Sequence, residues 1–247
     1  MRKPVFPDNI AAAKDGRSLR PYLLLNENVG GEILHSLSGA FCPLLLPGYG
    51  ALPFPVCSHP DMLIFRKGKT LVTFAGYYEK NRSLFDSLEG YEIITAPEKV
   101  GREYPDDILL NALSLADTLY CKAESISSTL SGMFSWVWNV KQGYTACSVC
   151  KVSDDAIITA DKGIARAVEK NGVKVLLIRP GHVALEGYDT GFIGGASFTY
   201  GERVYFFGDI KSHPDGGAIS DFIEENKKEC VSLSRGTLHD YGGGMVL

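Results

Sequence analysis

Short apolar runs alternate with polar stretches of helical spacing along the 247-residue chain, and the alternation repeats five times. The first runs, at 22–25, 71–74, 118–121, 156–159 and 204–207, read as strands. Helices are predicted near 31–37, 80–88, 162–170 and 217–225, with a blurred one over 127–138. A second apolar run follows at 42–46, 91–94, 173–178 and 230–233, and turn signals close four units at Pro47-Gly48, Pro97, Pro180-Gly181 and Arg235-Gly236. The units start at about 22, 70, 118, 155 and 203, so the steps are about 48, 48, 37 and 48 residues, a period that means stacked or radially repeated units. Each unit alone leaves an apolar helix face uncovered, so the copies must pack on one another.

A further strand precedes most units, at 57–65, 108–115, 146–152 and 191–199. The first unit lacks one, whereas the segment 241–247 has no unit after it. The terminal segment is therefore expected to complete the first unit and close a ring. The predicted fold is one α/β domain over 1–247, with five strand–strand–helix–strand units around a central site.

Composition narrows the function classes. With 45% hydrophobic and 22% charged residues the chain is ordinary for a globular protein, and its net charge of −4 with no basic stripe argues against a nucleic-acid partner. No run approaches the ~18 apolar residues of a membrane span. The opening residues 1–8 lack the apolar centre of a signal peptide, and six scattered cysteines form no disulfide framework. The expectation is a cytoplasmic protein with reduced thiols, monomeric or homodimeric, whose partner is a small molecule.

Cys147 follows the Gln142-Gly143 turn near a predicted strand start, where a thiol can face a cleft and be activated by an imidazole; the alternative is a small buried hydrophobe. Cys147 and Cys150 form a Cys-x-x-Cys pair. A structural zinc site needs further ligands at matching spacing, and residues three apart in a strand face opposite sides, so neither a metal nor a cofactor is expected. His59 has the chemistry of a general acid and base, and Asp61, two residues on in a predicted strand, would share its face. The alternative there is a turn fixed by Pro60.

Asp240, Asp189 and Glu186 are candidate carboxylates for a cationic substrate, since a guanidinium is a planar fork that carboxylates bind in pairs. Asn111 is expected to face the axis. The pairs Gly194-Gly195 and Gly243-Gly244 either leave room for a ligand or let strands converge. Gly30-Gly31 and Gly216-Gly217 make no dinucleotide fingerprint or phosphate loop. The second Ser-His-Pro-Asp, at 212–215, reads as a helix start with Ser212 or Asp215 as cap. Trp136 and Trp138, at a helix end, are expected in a core or interface.

Five such units with a strand shared between the termini resemble the pentein fold, the α/β propeller of guanidine-modifying enzymes. Arginine deiminases, dimethylarginine hydrolases, agmatine deiminases and amidinotransferases have it, and so does a non-catalytic ribosome anti-association factor family. The resemblance covers nearly the whole chain at the level of pattern. It implies that the inner strand of each unit points its first residues at the axis, with a Gly-Gly-Asp start, a His-x-Asp start one unit on and a cysteine two units after that. Here Asp240-Tyr241-Gly242-Gly243-Gly244, His59-Pro60-Asp61 and Gly143 to Ser148 follow in that angular order.

The resemblance implies a hydrolase or transferase acting on a small guanidino or amidino compound. Cys147 would attack the central carbon, Asp61, Asp240 and Asp189 would hold the cation, and His59 would protonate the departing amine and then activate water. Gly244 stands where the family has an acidic residue, the strand 191–196 has none after its glycines, and the family's C-terminal cysteine is absent. Those departures keep open a non-catalytic binding or scaffold pentein.

Overall fold

The computed structural model describes residues 20–247. In chain order the elements are β1 (Tyr22–Asn26), α1 (Gly31–Leu37), β2 (Cys42–Leu46), α2 (Pro60–Leu63), β3 (Ile64–Lys67), β4 (Thr70–Phe74), α3 (Ala75–Lys80), α4 (Arg82–Asp86) and β5 (Glu92–Ala96). There follow β6 (Leu113–Leu115), β7 (Thr118–Cys121), α5 (Ser128–Gly132), β8 (Trp136–Asn139), β9 (Val149–Ser153), β10 (Ala156–Thr159), α6 (Lys162–Glu169) and β11 (Lys174–Leu177). The chain finishes with β12 (Val183–Ala184), β13 (Ser197–Tyr200), β14 (Arg203–Phe206), α7 (Gly216–Glu225), β15 (Glu229–Ser232), β16 (Leu238–His239) and β17 (Met245–Val246).

Five three-stranded sheets share one topology: an inner strand antiparallel to a middle strand, which is parallel to an outer strand reached through a helix. The terminal strand β17 supplies the inner strand beside β1, pairing Val246 with Leu23 and Met245 with Leu24. Middle strands are buried almost throughout, which is why they read as unbroken apolar runs. The crossover helices cover the sheets. In α6, Asp161 caps the start through Gly163 and Ile164 N–H (2.7 and 2.8 Å), and Ile164, Ala165, Ala167 and Val168 are the buried face.

Neighbouring inner strands are tied by hydrogen bonds from one unit to the next. Arg66 on β3 donates to the Val246 carbonyl of β17, Lys151 on β9 to Ser114 O of β6 (2.8 Å), and Thr199 on β13 to Lys151 O (2.5 Å). The inner strands together line a cavity of about 740 Å³ that reaches Asp61 at one end. A smaller parallel pair, β12 with β16, brings the loop after Ala184 beside Asp240, whose N–H donates to Ala184 O (2.8 Å).

Several expectations need correction. The helix expected over 80–88 is two short ones, because Asn81 leaves helical geometry (φ −120°, ψ 27°) and its side-chain amide takes the Tyr77 carbonyl (3.0 Å). In the third unit the helix ends at Gly132, and Trp136 and Trp138 lie on the outer strand β8, 71% and 36% exposed rather than in a core. Asp215 does precede α7, but its carboxylate holds Arg179 (2.6 and 2.9 Å) instead of capping the helix. No helix among the described residues is long and apolar enough to cross a membrane.

Candidate active site

The residues before each inner strand are turns, not the strand starts that the sequence suggests. The expected strands 57–65, 108–115, 146–152 and 191–199 begin only at Ile64, Leu113, Val149 and Ser197. The turns are packed with buried apolar residues such as Met62, Leu63, Leu110 and Ala196, so their pattern mimics a strand while their amides bond locally. Repeated bonds from Leu63 N to His59 O (3.1 Å), Ser148 N to Tyr144 O (3.0 Å) and Ala196 N to Phe192 O (3.1 Å) define a common geometry. His59 and Asp61 therefore do not share a strand face: His59 precedes α2, and Pro60 and Asp61 form its first turn.

These turns converge. The Cys147 thiol donates to Asp61 Oδ2 (2.8 Å), and Asn111 Nδ2 donates to Cys147 Sγ (3.0 Å). One nitrogen of His59, an oxygen of Asp61 and the sulfur all lie within 4.8 Å of one another. His59 Nδ1 stands 3.7 Å from Asp240 Oδ1. Among the described residues this is the one group of histidine, cysteine and carboxylate side chains close enough to share an ion. Three donors are one fewer than the four protein ligands of a structural zinc site.

Asn111 does not face open space. Its Oδ1 accepts the Ala146 N–H (2.8 Å) and its Nδ2 also reaches Asp61 O (3.3 Å), so it locks the Cys147 turn against the Asp61 turn. Asp240 is held by the N–H groups of Phe192 (2.8 Å) and Gly242 (2.9 Å). Asp189 is exposed in the loop between β12 and β13 and makes no hydrogen bond or ion pair with the cluster, and Glu186 is likewise exposed.

The glycines serve convergence and leave no ligand space of their own. A Cβ on Gly195 would lie 1.8 Å from Asp240 Oδ1, and one on Gly194 would meet the carbonyls of Ala146, Cys147 and Val149 at 2.4–2.5 Å. Gly243 has φ +71°, the left-handed region that favours glycine, and a side chain on Gly244, where the resemblance leads one to look for an acidic residue, would have to displace the Phe198 ring. Residues that the sequence pattern does not single out complete the surroundings. Tyr144 donates to Asp107 Oδ2 (2.5 Å), Asp107 is fully buried, and His239 lies close enough to His59 to disfavour its protonation. Asp107 looks like any turn aspartate in sequence; only its burial distinguishes it.

Burial dominates the electrostatics. It pushes Asp61 up to about 8, helped by the charge of Asp240 and opposed by the bonds from Cys147 and Asn111. Asp240 rises to about 6 by burial, offset by its two amide donors. The Cys147 thiol is pushed well above its ordinary range by burial and by the two aspartates, and burial with His239 lowers His59 to about 3. Near neutral pH the site thus holds a neutral thiol, a neutral imidazole and a protonated Asp61, whereas Asp240 keeps its proton only below about 6. His59 Nδ1 and Asp61 Oδ1 are buried without partners.

A pH dependence of stability follows. Folded Asp61 (about 8) binds its proton more tightly than an unfolded aspartate (about 4), so its contribution is present at low pH and lost as pH rises through 8. Asp240 acts in the same sense below about 6, while His59 acts oppositely between about 3 and 6.5. Of these three, Asp61 alone titrates between about pH 6.5 and 8.5. The thermal midpoint is expected to fall over that interval, and Asp61→Asn to flatten the fall. A variant with the wild-type slope would show that the carboxyl is not enclosed as described.

The fold is similar to that of the pentein α/β propellers. Similar solved structures include the agmatine deiminase of C. jejuni, with TM-score 0.56, 10% identity and 93% of each chain covered. Others are DDAH from Pseudomonas aeruginosa in a Cys-to-Ser mutant complexed with citrulline (0.56, 8%, 93% of this chain and 100% of that one) and SxtG, an amidinotransferase from Microseira wollei in the saxitoxin biosynthetic pathway (0.58, 9%, 92% and 94%). At these identities the likeness establishes the fold and leaves the chemistry to the site. The chain belongs to the family of unknown function DUF6873, whose model matches residues 26–245. No curated protein matches it in sequence.

Proposed function

We propose that this chain is a cysteine-dependent enzyme acting on a small guanidino or amidino compound, on a five-unit α/β propeller closed by β17 as a single domain. The observation that carries the reading is the meeting of Cys147, His59 and Asp61 within 4.8 Å, from two turns 86 residues apart, with Asp240 beside them. The names of the similar structures, deiminase, dimethylaminohydrolase and amidinotransferase, support the same reaction class. All six cysteines are unpaired, which supports a cytoplasmic setting.

The chemistry starts from a neutral thiol and a neutral imidazole. A planar cation entering beside Asp61 and Asp240 brings the positive charge that these carboxylates lack, and it favours their ionised forms. It also favours thiolate: the Cys147 proton passes to His59 and the sulfur adds to the central carbon. His59 returns the proton to the departing nitrogen as the C–N bond breaks, leaving an S-linked thiouronium and a free amine. Water then gives a proton to His59 as its oxygen adds to the same carbon, and the C–S bond breaks as His59 returns that proton to the sulfur, freeing a protonated urea-type product that passes its extra proton to solvent. If an amine replaces that water, the same steps make a transferase. Asn111 positions the sulfur throughout.

A chloroacetamidine probe tests this directly. It is expected to add one covalent group at Cys147, located by peptide mass spectrometry, with a guanidino compound protecting against it. Labelling spread over Cys42, Cys57 and Cys230, with Cys147 untouched, would leave a non-catalytic binding protein as the better reading.

A further inference from the structure

Three carboxylates surround this site, and none has a cationic partner. Asp107 and Asp240 are 1% and 2% exposed, Asp61 faces Cys147, and among the described residues no lysine or arginine is buried or ion-paired with any of them. Two unpartnered buried atoms, His59 Nδ1 and Asp61 Oδ1, belong to the reacting cluster. A third, Asp107 Oδ1, does not. Asp107 uses its other oxygen to accept the Tyr144 hydroxyl (2.5 Å). A buried carboxylate oxygen left without a donor is costly, and in a site it marks where a ligand group goes.

The place of Asp107 relative to the sulfur is fixed by two turns. Tyr144 begins the turn that ends on Cys147, and Asp107 begins the one that carries Asn111. The bond from Ala146 N to Asn111 Oδ1 (2.8 Å) holds these turns together. Asp61 accepts from the Cys147 thiol itself, whereas Asp107 accepts from the hydroxyl of Tyr144, three residues before the cysteine. Asp107 thus stands at the hydroxyl end of the Tyr144 side chain. Tyr144 belongs to an aromatic row, with Tyr104 at 5.9 Å on one side and Phe192 at 6.2 Å on the other, which offers an apolar wall for an alkyl chain.

We infer that Asp107 is a specificity-determining residue that takes a second cationic group, so that the preferred ligand is an aminoalkyl guanidine or amidine, cationic at both ends, rather than a guanidino acid. This rests on the reading of Cys147 as the guanidine-directed nucleophile. The inner cation sits between Asp61 and Asp240, the alkyl chain lies along Tyr144 and Phe192, and the outer ammonium meets Asp107 Oδ1. A carboxylate at that end would face a buried aspartate, which the site repels.

Calorimetric titration of the full-length Cys147→Ser protein, which cannot turn the ligand over, separates the possibilities. Aminoalkylguanidines are expected to bind roughly 10- to 100-fold more tightly than alkylguanidines of equal length, the worth of one charge-assisted hydrogen bond in a desolvated site. Adding Asp107→Asn, which keeps the side-chain shape, is expected to bring that ratio close to one while the alkylguanidine affinity stays nearly unchanged. Adding Tyr144→Phe instead leaves the Asp107 charge in place and is expected to preserve the preference, which guards against misfolding of the Asn variant. Equal affinity for the two series, or tighter binding of guanidinoalkanoates, overturns the inference and leaves the catalytic reading standing. Failure of every guanidino compound to bind overturns both.

Discussion

Cys147→Ser is expected to lower kcat/KM for a guanidino substrate by about 10⁴-fold or more, with little change in thermal midpoint. The size follows from the neutral starting state. The thiol is already pushed above its ordinary range and needs the substrate cation to ionise, and a hydroxyl starts several decades less acidic still. His59 has no partner for Nδ1 and so offers no strong base to compensate. The structural cost is small, because a serine oxygen can accept from Asn111 and donate to Asp61 in the same places. Circular dichroism and steady-state kinetics on one preparation test both halves. A serine variant that keeps more than about a tenth of wild-type turnover would remove covalent catalysis at this position.

Gly242→Ala is expected to destabilise the fold by about 3 kcal/mol or more, a drop in thermal midpoint of roughly 6–12 °C. Gly242 has φ +74°, and a Cβ there would lie 2.2 Å from the Cβ of His59 and 2.6 Å from its Cα. Neither is the end of a flexible side chain. The neighbourhood cannot relax without a loss, since Gly242 N–H donates to Asp240 Oδ1 (2.9 Å) and its carbonyl accepts from Asp61 N (3.3 Å). Gly217→Ala is the control. It lies in the first turn of α7 with nothing within 4 Å of the added carbon, and helix propensity favours alanine. Thermal melts of the two variants should differ in sign; equal effects would mean that the His59–Gly242 contact is not as tight as described.

Much of the scaffold is legible in the pattern. The run 42–46 matches β2 residue for residue, the helix near 31–37 is α1, and the middle strands fall within a residue of their expected places. These elements are legible because middle strands are buried on both faces and each helix has one apolar stripe, so burial is written along the chain as a period. The turns before the inner strands are the opposite case. His59-Pro60-Asp61 reads equally as a strand start or a turn, and its apolar continuation, Met62-Leu63, favours the strand. Tertiary burial of those turns decides otherwise.

The site shows the same division. Cys147, His59 and Asp61 stand out by residue type, and their order along the repeats suggests a common centre. Asp189 stands out equally and lies outside it, because a loop aspartate carries no sign of its exposure. Asp107 and Tyr144 go unnoticed for the reverse reason: their partner is 37 residues away and their meaning lies in a bond.

Taken alone, the order of apolar and polar residues determined that the chain builds five similar units and which side chains could do chemistry, since local propensity and burial period act over a few residues. Only the tertiary structure decided that Asp61 faces a thiol, that glycines at 194, 195 and 242 make room for protein and not for ligand, and that burial raises the carboxyl groups of both Asp61 and Asp240. Those outcomes depend on desolvation and on contacts between distant turns, quantities that exist only once the units have packed.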